Sequence, residues 1–254
     1  MIRVVILGAG NVAQHLYAGL KKESSVQIIQ CYNRKGIVWD SDKQKTTVVK
    51  DLNLLQEADV YILALSDNAI EEVSTNLSFQ NRLVVHTSGS IPMKSIHNTN
   101  RRGVFYPLQT FSKEKEVNFQ EIPFCIEAEN KDDETTLKKL ASTLSNKIYS
   151  ISSEQRNVLH VSAVFVNNFT NYLMSTGKDI CETHQVPFEI LHPLIIETAG
   201  KATNMNPDEA QTGPAIRKDS KTIDRHLKIL EDPTQIKIYK TLTEAIQSKY
   251  GKKL

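Results

Sequence analysis

One short segment constrains this chain more than any other: Gly8-Ala9-Gly10-Asn11-Val12-Ala13, which follows the apolar run 2–7 and opens the helix-like segment 11–22. Ile2-Arg3-Val4-Val5-Ile6-Leu7 is short, rich in β-branched side chains and closed by glycine, the pattern of a buried strand. Gly8 permits a tight turn. Gly10 lets backbone approach a diphosphate with no Cβ in the way, and Ala13 is small enough for close helix–strand packing. The helix that starts at Asn11 and Val12 turns free amides and the positive end of its dipole toward that loop. Strand, loop and helix in this order predict a dinucleotide-binding βαβ unit.

The same alternation continues. Strands are expected at 26–32, 47–49, 60–65, 83–86, 103–106, 124–127 and 147–151, with helices at 68–77 and 131–145. Strands alternating with helices imply right-handed parallel crossovers and a doubly wound, mostly parallel sheet. After Ser152 no strand pattern recurs, and 154–176, 187–198, 220–230 and 233–250 read as helices. The expected organisation is an α/β nucleotide-binding domain, 1–152, followed by an all-α domain, 153–254.

Charge narrows the function classes. Lys+Arg total 31 against 29 Asp+Glu, a net +2, which lacks the basic excess that nucleic-acid binding needs. The three cysteines, Cys31, Cys125 and Cys181, are far apart, form no CxxC pair and point to neither a disulfide framework nor a thiolate metal site. His15, His97, His184 and His192 show no ligand spacing, so no metal is expected. No apolar run approaches the roughly 20 residues of a membrane helix. Met1 leads straight into a strand without a leader pattern, so a cytoplasmic protein is expected.

Ligands of such sheets lie beyond the carboxyl ends of the strands. After the second strand, NAD enzymes place an acid on the ribose hydroxyls. Here Asn33-Arg34-Lys35 stands there, with no acid before Asp40. A carboxylate repels a 2′-phosphate and a guanidinium binds it, so NADP(H) is expected over NAD(H), with Arg34 as clamp and Asn33 and Lys35 assisting. Leu65-Ser66-Asp67 ends the fourth strand, where Ser66 and Asp67 either contact the cofactor or cap the next helix. His86-Thr87-Ser88-Gly89-Ser90 ends the fifth, placing a hydroxyl-rich loop where a nicotinamide is expected; His86 is a cofactor contact or a satisfied, partly buried histidine, and Ser88 a substrate or nicotinamide contact. Gln109 and Thr110, after Tyr106-Pro107, are candidates to line a substrate site.

In the helical part, segment 154–176 is apolar on nearly all sides. At about 100° per residue, Arg156, His160, Asn167 and Asn171 fall on one stripe. Unpaired burial costs about 1–3 kcal/mol per polar group, so that stripe faces water, another polar helix or a site. His160, whose type titrates near pH 6.5, is the candidate general acid and Asn167 a substrate-orienting group. In Gln211-Thr212-Gly213-Pro214-Ala215-Ile216-Arg217-Lys218-Asp219, Arg217 is a candidate anion contact, and Asp219, Thr222 and His226 lie close to one face if a helix follows.

Taken together, the Gly8–Ala13 loop, Asp67-Asn68, His86-Thr87-Ser88-Gly89, Pro107-Leu108-Gln109-Thr110-Phe111, and Thr212-Gly213-Pro214 with Arg217, Asp219 and His226 resemble the Rossmann-like proteins that carry a DUF2520 C-terminal domain. More remotely the layout is similar to pyrroline-5-carboxylate reductases, coenzyme F420-dependent NADP reductases and β-hydroxyacid dehydrogenases. The resemblance implies an NADP-dependent oxidoreductase whose helical domain dimerises and completes the site for a small carbonyl, imine or hydroxy substrate. Hydroxyacid dehydrogenases use a helix-borne lysine as acid/base, but the long helix here has none before Lys178, and His160 is the nearest substitute. Two alternatives stand beside this expectation: a sensor or scaffold that binds NADP(H) without turnover, and a reductase acting with coenzyme F420.

Overall fold

The computed structural model describes residues 1–39, 46–113 and 115–251. They divide into two compact units, Met1–Ala163 and Val164–Leu254.

The first unit runs β1 (Ile2–Leu7), α1 (Asn11–Leu20), β2 (Val26–Tyr32), β3 (Thr47–Val49), β4 (Val60–Leu63), α2 (Asp67–Thr75), β5 (Leu83–His86), β6 (Arg101–Pro107), β7 (Phe124–Ala128), α3 (Lys131–Ser142), β8 (Ile148–Ser150) and α4 (Ser153–Ala163). Its eight strands form one sheet in the order β3-β2-β1-β4-β5-β6-β7-β8. All neighbours are parallel except β6 and β7. That exception follows from the connection: between Pro107 and Phe124 the described chain forms only one 3₁₀ turn, Phe119–Glu121, and no crossover helix, so the strand returns alongside its predecessor. The strand order reverses between β1 and β4, which opens a crevice at their carboxyl ends.

The period of two along β1 explains how both faces are filled. Val4 and Ile6 join one buried cluster with Ala13, Leu16 and Leu20 of α1 and Leu137, Leu140 and Ala141 of α3. Val5 and Leu7 join the other, with Tyr61, Leu63 and Ile70. A strand covered on both sides must be apolar throughout, as β1 is. Helix ends are set by local chemistry: Asn130 caps α3 by accepting from the Asp133 amide, and Asp132, Asp133 and Glu134 complement the dipole in its first turn.

The second unit is helical in its described residues: a π-helical turn (Val164–Phe169), α5 (Thr170–Thr183), a 3₁₀ turn (Phe188–Leu191), α6 (His192–Asn204), α7 (Pro207–Ala210), α8 (Ser220–Ile229) and α9 (Pro233–Tyr250). The single α-helix expected over 154–176 is therefore corrected. It is α4, then the π turn, then α5, and the Thr170 hydroxyl donates to the Phe165 carbonyl five residues back, the spacing of that wider turn. A π turn advances each residue by less than the α-helical angle. The constant 100° per residue on which the stripe through Arg156, His160, Asn167 and Asn171 rests does not hold across this turn. The run is also not buried within the chain: Val158, Phe165 and Val166 are 68%, 63% and 74% exposed.

Candidate active site

At the loop after β1, Gly8 takes φ +135°, and a Cβ there would run into the carbonyl oxygen of Ala64, just past β4. Only glycine fits this close strand-end approach. At Gly10 the reverse holds. A Cβ would meet nothing within 4 Å, so the space before α1 is open. No side chain caps α1 and no acid occupies its first turn, so its leading amides and positive dipole end face that space. Ala13 is fully buried, as the close packing of α1 on β1 requires. Asn11 Nδ2 donates to the Phe111 carbonyl at 2.8 Å and His15 Nε2 pairs with the Ser112 carbonyl at 2.9 Å, so α1 is braced by Phe111 and Ser112.

A cavity of about 300 Å³ adjoins this loop, lined by Gly8, Ala9, Asn33, Arg34, Lys35 and Leu65 together with Leu52, Ala69, Glu72, Val73 and Asn76. It gathers five residues named from the sequence: Gly8, Asn33, Arg34, Lys35 and Leu65. Asn33 is buried and its amide group closes the turn, Nδ2 donating to the Ile37 carbonyl and Oδ1 accepting from the Ile37 amide. Arg34 and Lys35 are exposed at the rim. The wall contributed by α2 and its C-cap was missed in the sequence, although Ala69, Val73 and Asn76 follow the i, i+4, i+7 spacing of one helix face. A wider depression of about 740 Å³ lies on the flank of α1 beside residues 113 and 115–120, and no strand-end residue lines it.

The β5 end forms a second cluster. His86 is fully buried, with Nδ1 accepting from the Ser88 amide at 3.2 Å. Burial, reinforced by the Arg156 cation, holds its imidazole down at about 4, so it stays neutral. The Ser88 hydroxyl accepts from the Ser90 and Ile91 amides and shapes the loop. Ser90 Oγ donates to Asp67 Oδ2 at 2.6 Å, which ties the start of α2 to this loop. The Ser66 hydroxyl makes no cap bond.

Arg156 is the largest fully buried side chain. Its Nη1 donates to Glu127 Oε2 at 2.5 Å on β7, and its Nη2 to the Ile91 carbonyl at 2.6 Å. One turn further along α4, His160 Nδ1 lies 3.3 Å from the Tyr106 hydroxyl of β6. Gly89 lies against the pair, and a Cβ there would fall 2.5 Å from His160 Nδ1 and 2.9 Å from the Tyr106 oxygen. Burial, with the Cys125 thiol adding to it, pushes the Tyr106 phenol up to about 12, so it keeps its proton. Tyr106 was not named as a site residue from the sequence. Burial likewise pushes the thiols of Cys31 and Cys125 up to about 12 and 11, far from the reactive range.

Gln109 and Thr110 are exposed, and Gln109 Oε1 accepts from the Thr110 amide. Asn167 sits exposed in the π turn and Arg217 exposed before α8. Asp219 caps α8 through the Thr222 amide and hydroxyl, and His226 Nδ1 pairs with the Tyr239 hydroxyl at 2.8 Å, so this motif organises the second unit's own fold. Among the described residues no group of three or more His, Cys, Asp or Glu could hold a metal ion, and no helix is long and apolar enough to cross a membrane.

Two family models match the chain: NADP oxidoreductase, coenzyme F420-dependent, over residues 3–89, and the domain of unknown function DUF2520 over residues 122–246. Among solved structures, a Bacteroides fragilis protein provisionally named an NADP oxidoreductase is 39% identical, with 97% of this chain and 98% of that chain covered and a TM-score of 0.85. At fold level the chain is also similar to 1-pyrroline-5-carboxylate reductase of Streptococcus pyogenes (11% identity, 97% and 98% covered, TM-score 0.61). A further likeness is to an imine reductase of Myxococcus stipitatus in complex with NADP+ (12% identity, 98% and 96% covered, TM-score 0.64). No curated protein matches the chain.

Proposed function

The chain belongs to the family of NADP oxidoreductases that carry a DUF2520 C-terminal domain, and on that premise we propose that it moves a hydride between NADP(H) and a small carbonyl, imine or hydroxy compound. The observation that carries the reading is the open cradle at Gly10, with Arg34 and Lys35 on the adjoining cavity. The residues present suit the dinucleotide: backbone amides at Gly10, Asn11 and Val12 for the diphosphate, and Arg34 and Lys35 for a 2′-phosphate. A bound nicotinamide supplies the hydride chemistry; the protein orients the reactants and handles the proton.

His160 is the proton donor in this reading. The Tyr106 hydroxyl both donates and accepts, so it serves Nδ1 whether the ring is neutral or charged, and Nε2 is left to exchange the proton with substrate. The fixed loop at Ser88 and Gly89 forms one wall beside that pair. Titration calorimetry tests the cofactor: NADPH is expected to bind at least tenfold tighter than NADH, and equal affinities would refute the preference. A second reading follows from the model matched over residues 3–89, with coenzyme F420 as the hydride partner. NADPH oxidation assayed with F420 in one arm, and with ketoacids and cyclic imines in another, separates the two. We also place the protein in the cytoplasm, in keeping with its unpaired cysteines, and read the exposed apolar side chains of residues 165–196 as covered by a second copy.

A further inference from the structure

The turn after β2 is held against the end of β3. The parallel register pairs Tyr32 with Val49, and the Asn33 amide donates to the Val49 carbonyl at 3.2 Å. The next residue, Lys50, therefore emerges at the carboxyl end of the sheet, beside Asn33. Its side chain folds back over the turn. Gly36 has φ +67°, and a Cβ there would collide with Lys50 Cε and come within 3.3 Å of Lys50 Nζ. The ammonium is thus packed onto the same turn that carries Arg34 and Lys35. Among the described residues, none of these three cations has an ion pair with a carboxylate. Like charges gathered on one turn repel one another, and a dianionic group between them reverses the sign of that interaction.

We propose that Lys50 is a specificity-determining residue that supplies a third cationic contact to a 2′-phosphorylated adenosine, its stem crossing Gly36, where a φ of +67° favours glycine. The inference rests on the NADP(H) reading above and adds to it a residue outside the β2 turn. A lysine ammonium is a compact point charge, suited to a phosphate already gripped by a guanidinium fork. It adds affinity for the phosphate without reading the base or the diphosphate.

Titration calorimetry on the full chain tests this, with NADPH, NADH and adenosine 2′,5′-bisphosphate as probes. In Lys50→Met the Kd for NADPH and for the bisphosphate is expected to rise about tenfold, while NADH stays within twofold. The salt dependence of NADPH binding should lose about one charge contact. Gly36→Ala, which displaces the lysine stem, is expected to weaken the same two probes selectively. A Lys50→Met protein whose NADPH-to-NADH ratio is unchanged, or that loses both dinucleotides equally, overturns the assignment. If the parent binds neither dinucleotide, the NADP(H) reading itself fails. If the parent prefers NADPH and Arg34→Ala removes that preference while Lys50→Met does not, this inference alone fails.

Discussion

Two glycines two positions apart answer to different demands. Gly8 is required by the fold: its φ of +135° and the Ala64 carbonyl exclude a side chain. Gly8→Ala is expected to cost at least about 2 kcal/mol, read as a lower melting temperature. Gly10 has open space, so Gly10→Ala should leave the melt nearly unchanged yet weaken NADPH binding by tenfold or more; unchanged affinity would remove the diphosphate from this loop. Arg34→Ala should cost about 1.5–3 kcal/mol of NADPH affinity and leave NADH alone. His86 carries a pH signature. Its folded value of about 4 lies below the ordinary 6.5, so the unfolded chain takes up a proton first as pH falls. Stability is unaffected above about pH 6.5 and falls between there and pH 4, by roughly 3 kcal/mol. Urea unfolding across that range should show the loss, and His86→Asn should flatten it. The β1 loop was legible from the sequence because glycine positions state backbone demands directly. The Tyr106–His160 contact was not, because its partners lie 54 residues apart and meet only through packing.

At the scale of elements, α4 is fastened above all by the ion pair of buried Arg156 with Glu127. Arg156 joins it to β7 through Glu127 and to the loop after β5 through Ile91. Removing one partner of such a pair strands the other, so Arg156→Ala is expected to cost about 3–5 kcal/mol in urea unfolding. The strands were readable because short β-branched runs bounded by turn residues occur at each of them. The antiparallel return of β7 was not, because the segment between Pro107 and Phe124 has no helical periodicity to mark its path. The π turn at Val164–Phe169 also escaped. Valine and phenylalanine suit a buried α-helix, and periodicity arithmetic assumes one constant angle per residue.

For the whole molecule, the sheet unit carries the candidate nucleotide and proton-transfer residues, whereas the helical unit leaves Phe165, Val166, Ile190, Leu194 and Ile196 between 61% and 74% exposed. These exposed side chains are the basis on which we propose a second copy as partner. Light scattering at micromolar concentration is expected to give a dimer, and Ile196→Asp to shift it toward monomer; a monomeric parent would overturn this. The helical unit's apolar excess was visible in the sequence and pointed to a homodimer, but which side chains stay exposed was not, because that depends on how the helices pack. The bracing of α1 by Phe111 and Ser112 has a further effect. Any occupant that stiffens the opening loop also restrains a strap about a hundred residues downstream in sequence. Amide hydrogen exchange in that strap should therefore slow when NADPH is added, making it a remote gauge of whether the cradle is filled.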